Sequence, residues 1–302
     1  MTHEELLEVM PHRGRNVLID DYVDEGADEG TDEGKRGGRG TLTIAEGDAF
    51  GRDLFLVRCA GELRYSAFFL VEHVALNSVM ILREDMGGGR LAYFSAVTKL
   101  TVHDTATAGT PLVSHVVRTK DRRAFRGFSA RVETADGRPI LDVNFMAYLA
   151  ARGDRPDTQA MSVAPEGFCR AAPERFPGFD KALVFCGDAD ALGRCGGVYP
   201  ADNPLCEGHF PGAPVMMGMA QWLAVAQRGA IDAPTGESEI AGSGSIARAD
   251  GTPVLDVAGL RAAVTKDADG NVVGLRLLAT RKVAFRGMIF PGDAYVATFT
   301  SD

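Results

Sequence analysis

The chain has 302 residues, of which 45% are hydrophobic and 24% are charged. This composition is typical of a globular protein with enough chain for one large core or two ordinary ones. The formal net charge of −9 at pH 7 argues against nucleic acid as the main partner. No apolar run approaches the roughly 20 residues of a membrane span, and the N-terminus lacks a secretion signal. We therefore expect a cytoplasmic protein without a membrane span.

The residue types that bind metals are not spaced as in a metal site. The five cysteines are scattered and never form Cys-x-x-Cys, which favours reduced thiols over a disulfide framework. Cys206 and His209 lie three positions apart, but two further ligands at metal spacing are missing, so no zinc is expected. Two acidic segments, 24–34 and 267–271, have the carboxylate density of a calcium site. A solvated hairpin tip and a hairpin turn are the better interpretations of these segments.

Taken in order, the first half predicts a short amphipathic helix at 4–10 and strands at 16–23 and 40–44. Residues 62–83 contain no Pro or Gly and predict a long helix. Asp136-Gly137 predicts a tight turn between the last two of four β-like segments. These segments are 90–103, 111–120, 122–133 and 138–149.

The second half begins after a proline-containing polar segment at 151–177, which predicts a linker. Two short segments of the first half recur in similar form in the second half, which indicates a duplication. Lys-Leu-Thr-Val at 99–102 corresponds to Lys-Val-Ala-Phe at 282–285, and the Asp-Gly segment at 135–143 recurs at 249–257. The order of these two segments along the chain differs between the halves. Either the second hairpin was relocated and fills missing sheet positions, or it is an insertion in a truncated unit.

Two side chains suggest acid–base chemistry. Glu72 has apolar neighbours three and four positions away in the predicted helix, which would raise its pKa and suit a proton donor. The alternative is a glutamate that faces solvent. His209 lies in a loop rich in Pro and Gly before a helical run to Gln227, where free N–H groups could stabilise an oxyanion. A buried core histidine is the alternative for His209.

Three segments carry a resemblance to a known family: Met-Pro-His-Arg at 10–13, leading to Val-Leu-Ile-Asp at 17–20; His-Phe-Pro-Gly-x-Pro-Val-Met-x-Gly at 209–218; and Lys-Val-Ala-Phe-Arg at 282–286, leading to Phe-Pro-Gly-Asp at 290–293. In this order they resemble the β-hydroxyacyl-(acyl carrier protein) dehydratases. The resemblance implies the hot-dog fold, in which a curved antiparallel sheet wraps a long helix. One such unit needs about half of this chain. We therefore expect an α+β tandem, or double hot-dog, with units at 1–150 and 178–302 joined by a linker at 151–177.

In that family an acid follows the catalytic histidine by fourteen positions, where this chain has Leu223. The first half shows the complementary pattern, because Glu72 matches the acid while Arg58 stands in the histidine's place. The resemblance therefore implies one composite site that dehydrates (3R)-hydroxyacyl thioesters. His209 would be the base, Glu72 the acid and the Gly218 N–H the oxyanion donor, with no cofactor. The family usually has proline at the position of Met217.

Further residues are expected to contact the substrate and its carrier. The expected substrate-binding residues are Phe210, Pro211, Gly212, Met216, Met217 and Trp222, with ordinary core packing as the alternative for the two methionines and Trp222. The expected residues for binding acyl carrier protein or its phosphopantetheine-linked chain are Arg122, Arg123, Arg126, Arg281, Lys282 and Arg286, with solvated strand ends as the alternative. Acyl chain length, coenzyme A as carrier, the pathway and a homodimer of such chains stay open. A non-catalytic carrier-binding subunit and an acyl-thioesterase are the alternative functions.

Overall fold

The computed structural model describes all of the chain except residues 27–35, 60, 88–89, 152–170, 189 and 191–193. Most of the predicted acidic hairpin tip and most of the predicted linker at 151–177 therefore lie outside the described residues. The domain boundaries at that linker stay a prediction. Among the described residues, no helix combines the length and apolar character needed to cross a membrane.

Three α-helices and fourteen β-strands make up the described part of the chain. The helices are α1 (His3–Val9), α2 (Ala67–Ile81) and α3 (Gly218–Ile231). The strands of the first half are β1 (Asp21–Glu25), β2 (Gly37–Leu42), β3 (Leu56–Cys59), β4 (Glu62–Tyr65), β5 (Arg90–Val102), β6 (Leu112–Arg122), β7 (Phe125–Thr134) and β8 (Pro139–Ala151). The strands of the second half are β9 (Cys195–Val198), β10 (Gly236–Arg248), β11 (Pro253–Lys266), β12 (Val272–Thr280), β13 (Lys282–Phe285) and β14 (Ala294–Ser301).

Each half has a central helix covered by antiparallel strands. All residues of α2 are buried, as expected for a predominantly apolar helix, and α2 packs against β1, β2, β5, β6 and β7. The α3 helix packs in the same way against β10, β11, β12 and β14. The two sheets join where β5 pairs with both β12 and β13, and α2 contacts α3. The predicted double hot-dog architecture is confirmed.

The arrangement of the strands decides how the second sheet is completed. The first half has the order β2-β6-β7-β8-β5, and the second has β9-β14-β10-β11-β13. The hairpin with Asp250-Gly251 joins β10 and β11, so it occupies the places that the Asp136-Gly137 hairpin takes with β7 and β8. The explanation by a relocated hairpin is therefore correct, and that by an insertion is wrong. Strands β5 and β13 contain the other pair of recurring segments, 99–102 and 282–285, and they pair with each other at Val97 and Val283.

Two predicted elements start in the wrong place. The helix predicted over 62–83 begins only at Ala67, because Glu62–Tyr65 forms β4 and pairs with β3. The Tyr65 hydroxyl accepts the Ile44 N–H and donates to the Thr110 carbonyl, so distant contacts favour the extended backbone. The strand predicted at 16–23 begins at Asp21, since Asn16 ends a 3₁₀ turn.

The other predicted elements agree with the structure to within a few residues. Helix α1 covers most of 4–10, and β5, β6, β7 and β8 cover the four β-like segments. The segment 267–271 is a hairpin turn between β11 and β12. The Asp267 N–H donates a hydrogen bond to the Asn271 carbonyl and closes the turn. Local alternation and turn residues were sufficient for these elements.

Candidate active site

Glu72 lies in the middle of α2 and is 6% exposed. It lines a cavity between the two halves, which excludes the alternative of a glutamate that faces solvent. Burial raises the pKa of its carboxyl from 4.5 to about 7, because ionisation is costly away from water. Glu72 can therefore hold a proton near neutral pH.

His209 lies in the loop that enters α3 and is 7% exposed. Its Nδ1 lies 2.9 Å from the Val215 carbonyl oxygen. Since a carbonyl can only accept, Nδ1 carries the hydrogen and Nε2 is left with a free lone pair. Burial lowers the pKa of His209 to about 4, so the imidazole is neutral at pH 7. The adjacent Phe210 has a φ of 66°, an uncommon left-handed conformation for a bulky residue.

A second histidine, His12, joins this site, although no role was expected for it from the sequence. Its segment is tied to the His209 loop, because the Arg13 N–H donates to the Gly208 carbonyl and the Asn16 amide donates to the Leu205 carbonyl. A Cβ at Gly208 would collide with the Arg13 carbonyl, so only glycine allows this approach. The Met-Pro-His-Arg motif marked His12, but its contact with a loop almost 200 positions away cannot be deduced from spacing.

The three polar side chains converge on one point. His12 Nε2 lies 3.7 Å from Glu72 Oε1, and the His12 and His209 ring centroids are 5.3 Å apart. One ligand atom from each of His12, Glu72 and His209 lies within 4.8 Å of the others. Burial, followed by the proximity of His209 and Arg13, lowers the pKa of His12 well below its usual range. At a pH near 7, where the Glu72 carboxyl is partly protonated, both imidazoles are therefore neutral.

The cavity around these groups has a volume of about 440 Å³. Its wall includes Gly218, the first residue of α3, whose free backbone N–H and helix-dipole end favour negative charge. A Cβ at Gly218 would lie 2.7 Å from Phe285 Cε1, so a side chain there would displace the ring. The remaining wall is mainly apolar and includes Ala75, Val79, Ala92, Phe94, Ala147 and Ala150.

Of the residues expected to contact substrate, the structure brings Phe210 and Met216 to the cavity. The others do not line it, among the described residues: Pro211, Gly212, Met217 and Trp222. The Trp222 ring is fully buried and meets the Phe68 ring edge-on at 5.3 Å. Ordinary core packing therefore accounts for Trp222. Its position was predicted wrongly because the sequence does not say which face of α3 turns toward the cavity.

The residues expected to bind the carrier fall into two places. Arg122 and Arg123 are exposed at the turn between β6 and β7, and Arg126 lies near Asp85 and Asp121. Arg286 pairs with Asp256 and lines the cavity. The exposed residues Arg281 and Lys282 precede it.

The cavity reaches the surface beside the turn that carries Arg122 and Arg123. Phe125 and Tyr148 both line it, are 39% and 37% exposed, and have ring centroids 5.1 Å apart. The two rings are in contact and form one apolar side of the cavity mouth, which an apolar chain can pass.

His12, Glu72 and His209 are also the ligand types of a zinc site, in which ligand atoms lie about 3.4 Å apart around the ion. The 3.7 Å between His12 Nε2 and Glu72 Oε1 is close to this spacing, and one atom from each group lies within 4.8 Å of the others. The three side chains could therefore hold a metal ion or form hydrogen bonds, each about 2.8 Å long, to a shared oxygen atom. The absence of a metal requirement stays a prediction.

No protein-family model matches the sequence, and no curated protein matches it. Among solved structures, the chain is similar to the dehydratase domain from the CurK module of curacin polyketide synthase, with 10% identity and a TM-score of 0.44 over 95% of this chain and 99% of that one. It is similar to the dehydratase heterocomplex ApeI:P from Xenorhabdus doucetiae, with 12% identity and a TM-score of 0.37 over 49% and 93%. A thioesterase superfamily member from Thermus thermophilus is 13% identical, with a TM-score of 0.33 over 38% and 81%.

Proposed function

We propose that this protein dehydrates (3R)-hydroxyacyl thioesters to trans-2-enoyl thioesters at one composite site shared by its two halves. The observation that carries this proposal is the convergence of Glu72 from α2 and His209 from the α3 loop in one apolar cavity. Each half supplies the group that the other lacks, since Leu223 and Arg58 stand at the equivalent positions.

The protonation states fit the reaction. Elimination of water needs a neutral base at C2 and a proton for the departing hydroxyl. His209, with its pKa lowered to about 4, is a neutral base, and Glu72, with its pKa raised to about 7, carries a proton below that pH. The same apolar surroundings push the two pKa values apart, which assigns acid and base.

The elimination moves one proton from C2 to His209 and one proton from Glu72 to the leaving hydroxyl. His209 Nε2 removes the proton from C2, and the electron pair of that C–H bond forms the C2–C3 double bond. The C3–O bond breaks, and the Glu72 proton joins the leaving hydroxyl to give water. The Gly218 N–H at the start of α3 stabilises the negative charge on the thioester oxygen. Transfer of the proton from His209 back to Glu72 restores the starting state.

His12 holds the leaving oxygen together with Glu72. An oxygen atom about 2.8 Å from both groups requires them to be less than about 5.6 Å apart, and the 3.7 Å between His12 Nε2 and Glu72 Oε1 satisfies this. We expect His12→Asn to lower kcat by about tenfold while leaving KM nearly unchanged, because the interaction strengthens as the C–O bond breaks. An unchanged kcat in this variant would show that His12 only packs against His209.

The substrate is carried on phosphopantetheine, attached to an acyl carrier protein in fatty acid or polyketide-like synthesis. The exposed Arg122 and Arg123 stand beside the aromatic mouth formed by Phe125 and Tyr148, where they can meet an acidic partner. Arg286 lies on the cavity wall, where its guanidinium can approach a phosphate.

The experiment follows enoyl-thioester formation from a (3R)-hydroxyacyl pantetheine thioester, with release of free thiol recorded in parallel. The expected result is enoyl product without thiol, and a loss of about 10²–10⁴ in kcat for His209→Ala. Thiol release from the wild type would identify a thioesterase instead. If neither product forms from substrates of several chain lengths, attached to acyl carrier protein or to coenzyme A, the protein is a non-catalytic subunit.

A further inference from the structure

A second cavity, of about 630 Å³, lies between the start of α2 and strands β10, β11 and β12. It occupies the place related to the first cavity by the duplication. The first cavity is walled by the beginning of α3 and the end of β8, and the second by the beginning of α2 and the corresponding end of β11.

This cavity has lost the acid and the base but remains open. Leu223, at the position equivalent to Glu72, is fully buried and is not part of the described wall. Arg58, at the position of His209, is half exposed and faces Glu46.

Ser66 provides the first sign of a ligand. It is the N-cap residue of α2, yet its side chain accepts none of the free N–H groups of that helix. Ser66 is 7% exposed and lines the cavity, and its hydroxyl has no hydrogen-bond partner within the described residues. The hydroxyl is therefore accessible from the cavity and open to a ligand there, and the uncapped helix start beside it favours an anion.

The wall carries charges of both signs, with two arginines, Arg64 and Arg276, and three acids, Asp104, Glu237 and Glu239. Arg64 is paired with Glu62, and Asp104 and Glu239 are paired with Arg138 and Arg261, which lie outside the wall. Arg276, Glu237 and Glu239 are exposed. Within the described part of the chain Arg276 forms no ion pair, although its charge acts on Asp104, so its guanidinium can turn to a ligand.

The rest of the wall is apolar and includes Val57, Leu70, Ile140, Val264 and Leu275. A ligand that fits therefore has an anionic end and an aliphatic body. We propose that this cavity binds an aliphatic carboxylate, with the carboxylate at Ser66 and the start of α2 and the chain along the apolar wall. Arg276 completes the recognition of the negative charge.

Isothermal titration calorimetry with sodium decanoate tests this site. We expect binding to the wild type, and a loss of affinity of about tenfold in Ser66→Ala and in Arg276→Gln, because each removes one hydrogen bond to a charged group. Since Ser66 does not cap α2, the Ser66→Ala variant should keep its melting temperature. Two matched controls, Glu72→Gln in the first cavity and Arg131→Gln on an exposed strand, should keep the wild-type affinity.

The proposal is overturned if decanoate does not bind, or if Glu72→Gln changes the affinity while Ser66→Ala and Arg276→Gln do not. Methyl decanoate, which has the same chain without the charge, should bind at least about tenfold more weakly, and equal affinity would also overturn it. The measurement involves no turnover, so it stands apart from the dehydratase proposal.

Discussion

The Glu72→Gln variant should be more stable than the wild type at alkaline pH, although it should lose activity. Burial raises the pKa of Glu72 from 4.5 to about 7. The folded state therefore binds a proton more tightly than the unfolded state, and stability falls as the pH rises between these two values. A difference of about 2.5 pH units, at about 1.4 kcal/mol each, amounts to about 3 kcal/mol above pH 7.

Glutamine has the same shape but no charge, so it escapes this penalty. Urea denaturation at about pH 4.5 and pH 8.5 should show nearly equal stability at the lower pH and a variant more stable by about 3 kcal/mol at the higher pH. Turnover should fall by about 10²–10⁴. A stability difference that does not depend on pH would refute the argument, because it would mean that Glu72 is not buried as a titrating group.

Three further outcomes follow from the same site. The kcat/KM profile should fall below about pH 4 as His209 gains a proton and above about pH 7 as the acid loses one, and a flat profile over pH 3–9 would contradict both assignments. Gly218→Ala should lower kcat/KM by about 10²-fold, and adding Phe285→Leu, which removes the ring in the way of the new methyl group, should recover part of it; no recovery would argue against the steric cause. Replacing Arg122 and Arg123 by Glu should raise KM by about tenfold for a carrier-bound substrate and leave KM for the pantetheine thioester unchanged, whereas equal effects on both would place these residues outside carrier docking.

Local sequence signals predicted much of the fold because they act over short distances. Alternating periodicity, with the Asp-Gly turn at 136–137, was enough to place β2 and β5 to β8, and the recurrence of that turn at 250–251 indicated a duplication. The candidate site was also accessible from the sequence. In the family that the sequence resembles, an acid follows the histidine by fourteen positions. Compared with that pattern, the chain has two incomplete motifs, one with Glu72 and one with His209, and their complementarity suggested a shared site.

Contacts between distant segments were decided only by the tertiary structure. The helix begins at Ala67 and not at Glu62, because β4 finds a partner in β3. His12 joins the site because its segment is tied to the His209 loop by main-chain and amide hydrogen bonds. Trp222 turns into the core and away from the cavity, and the relocated hairpin takes its place in the second sheet. The sequence by itself determined which residue types and local elements were present, whereas packing between residues far apart in the chain determined which of them meet.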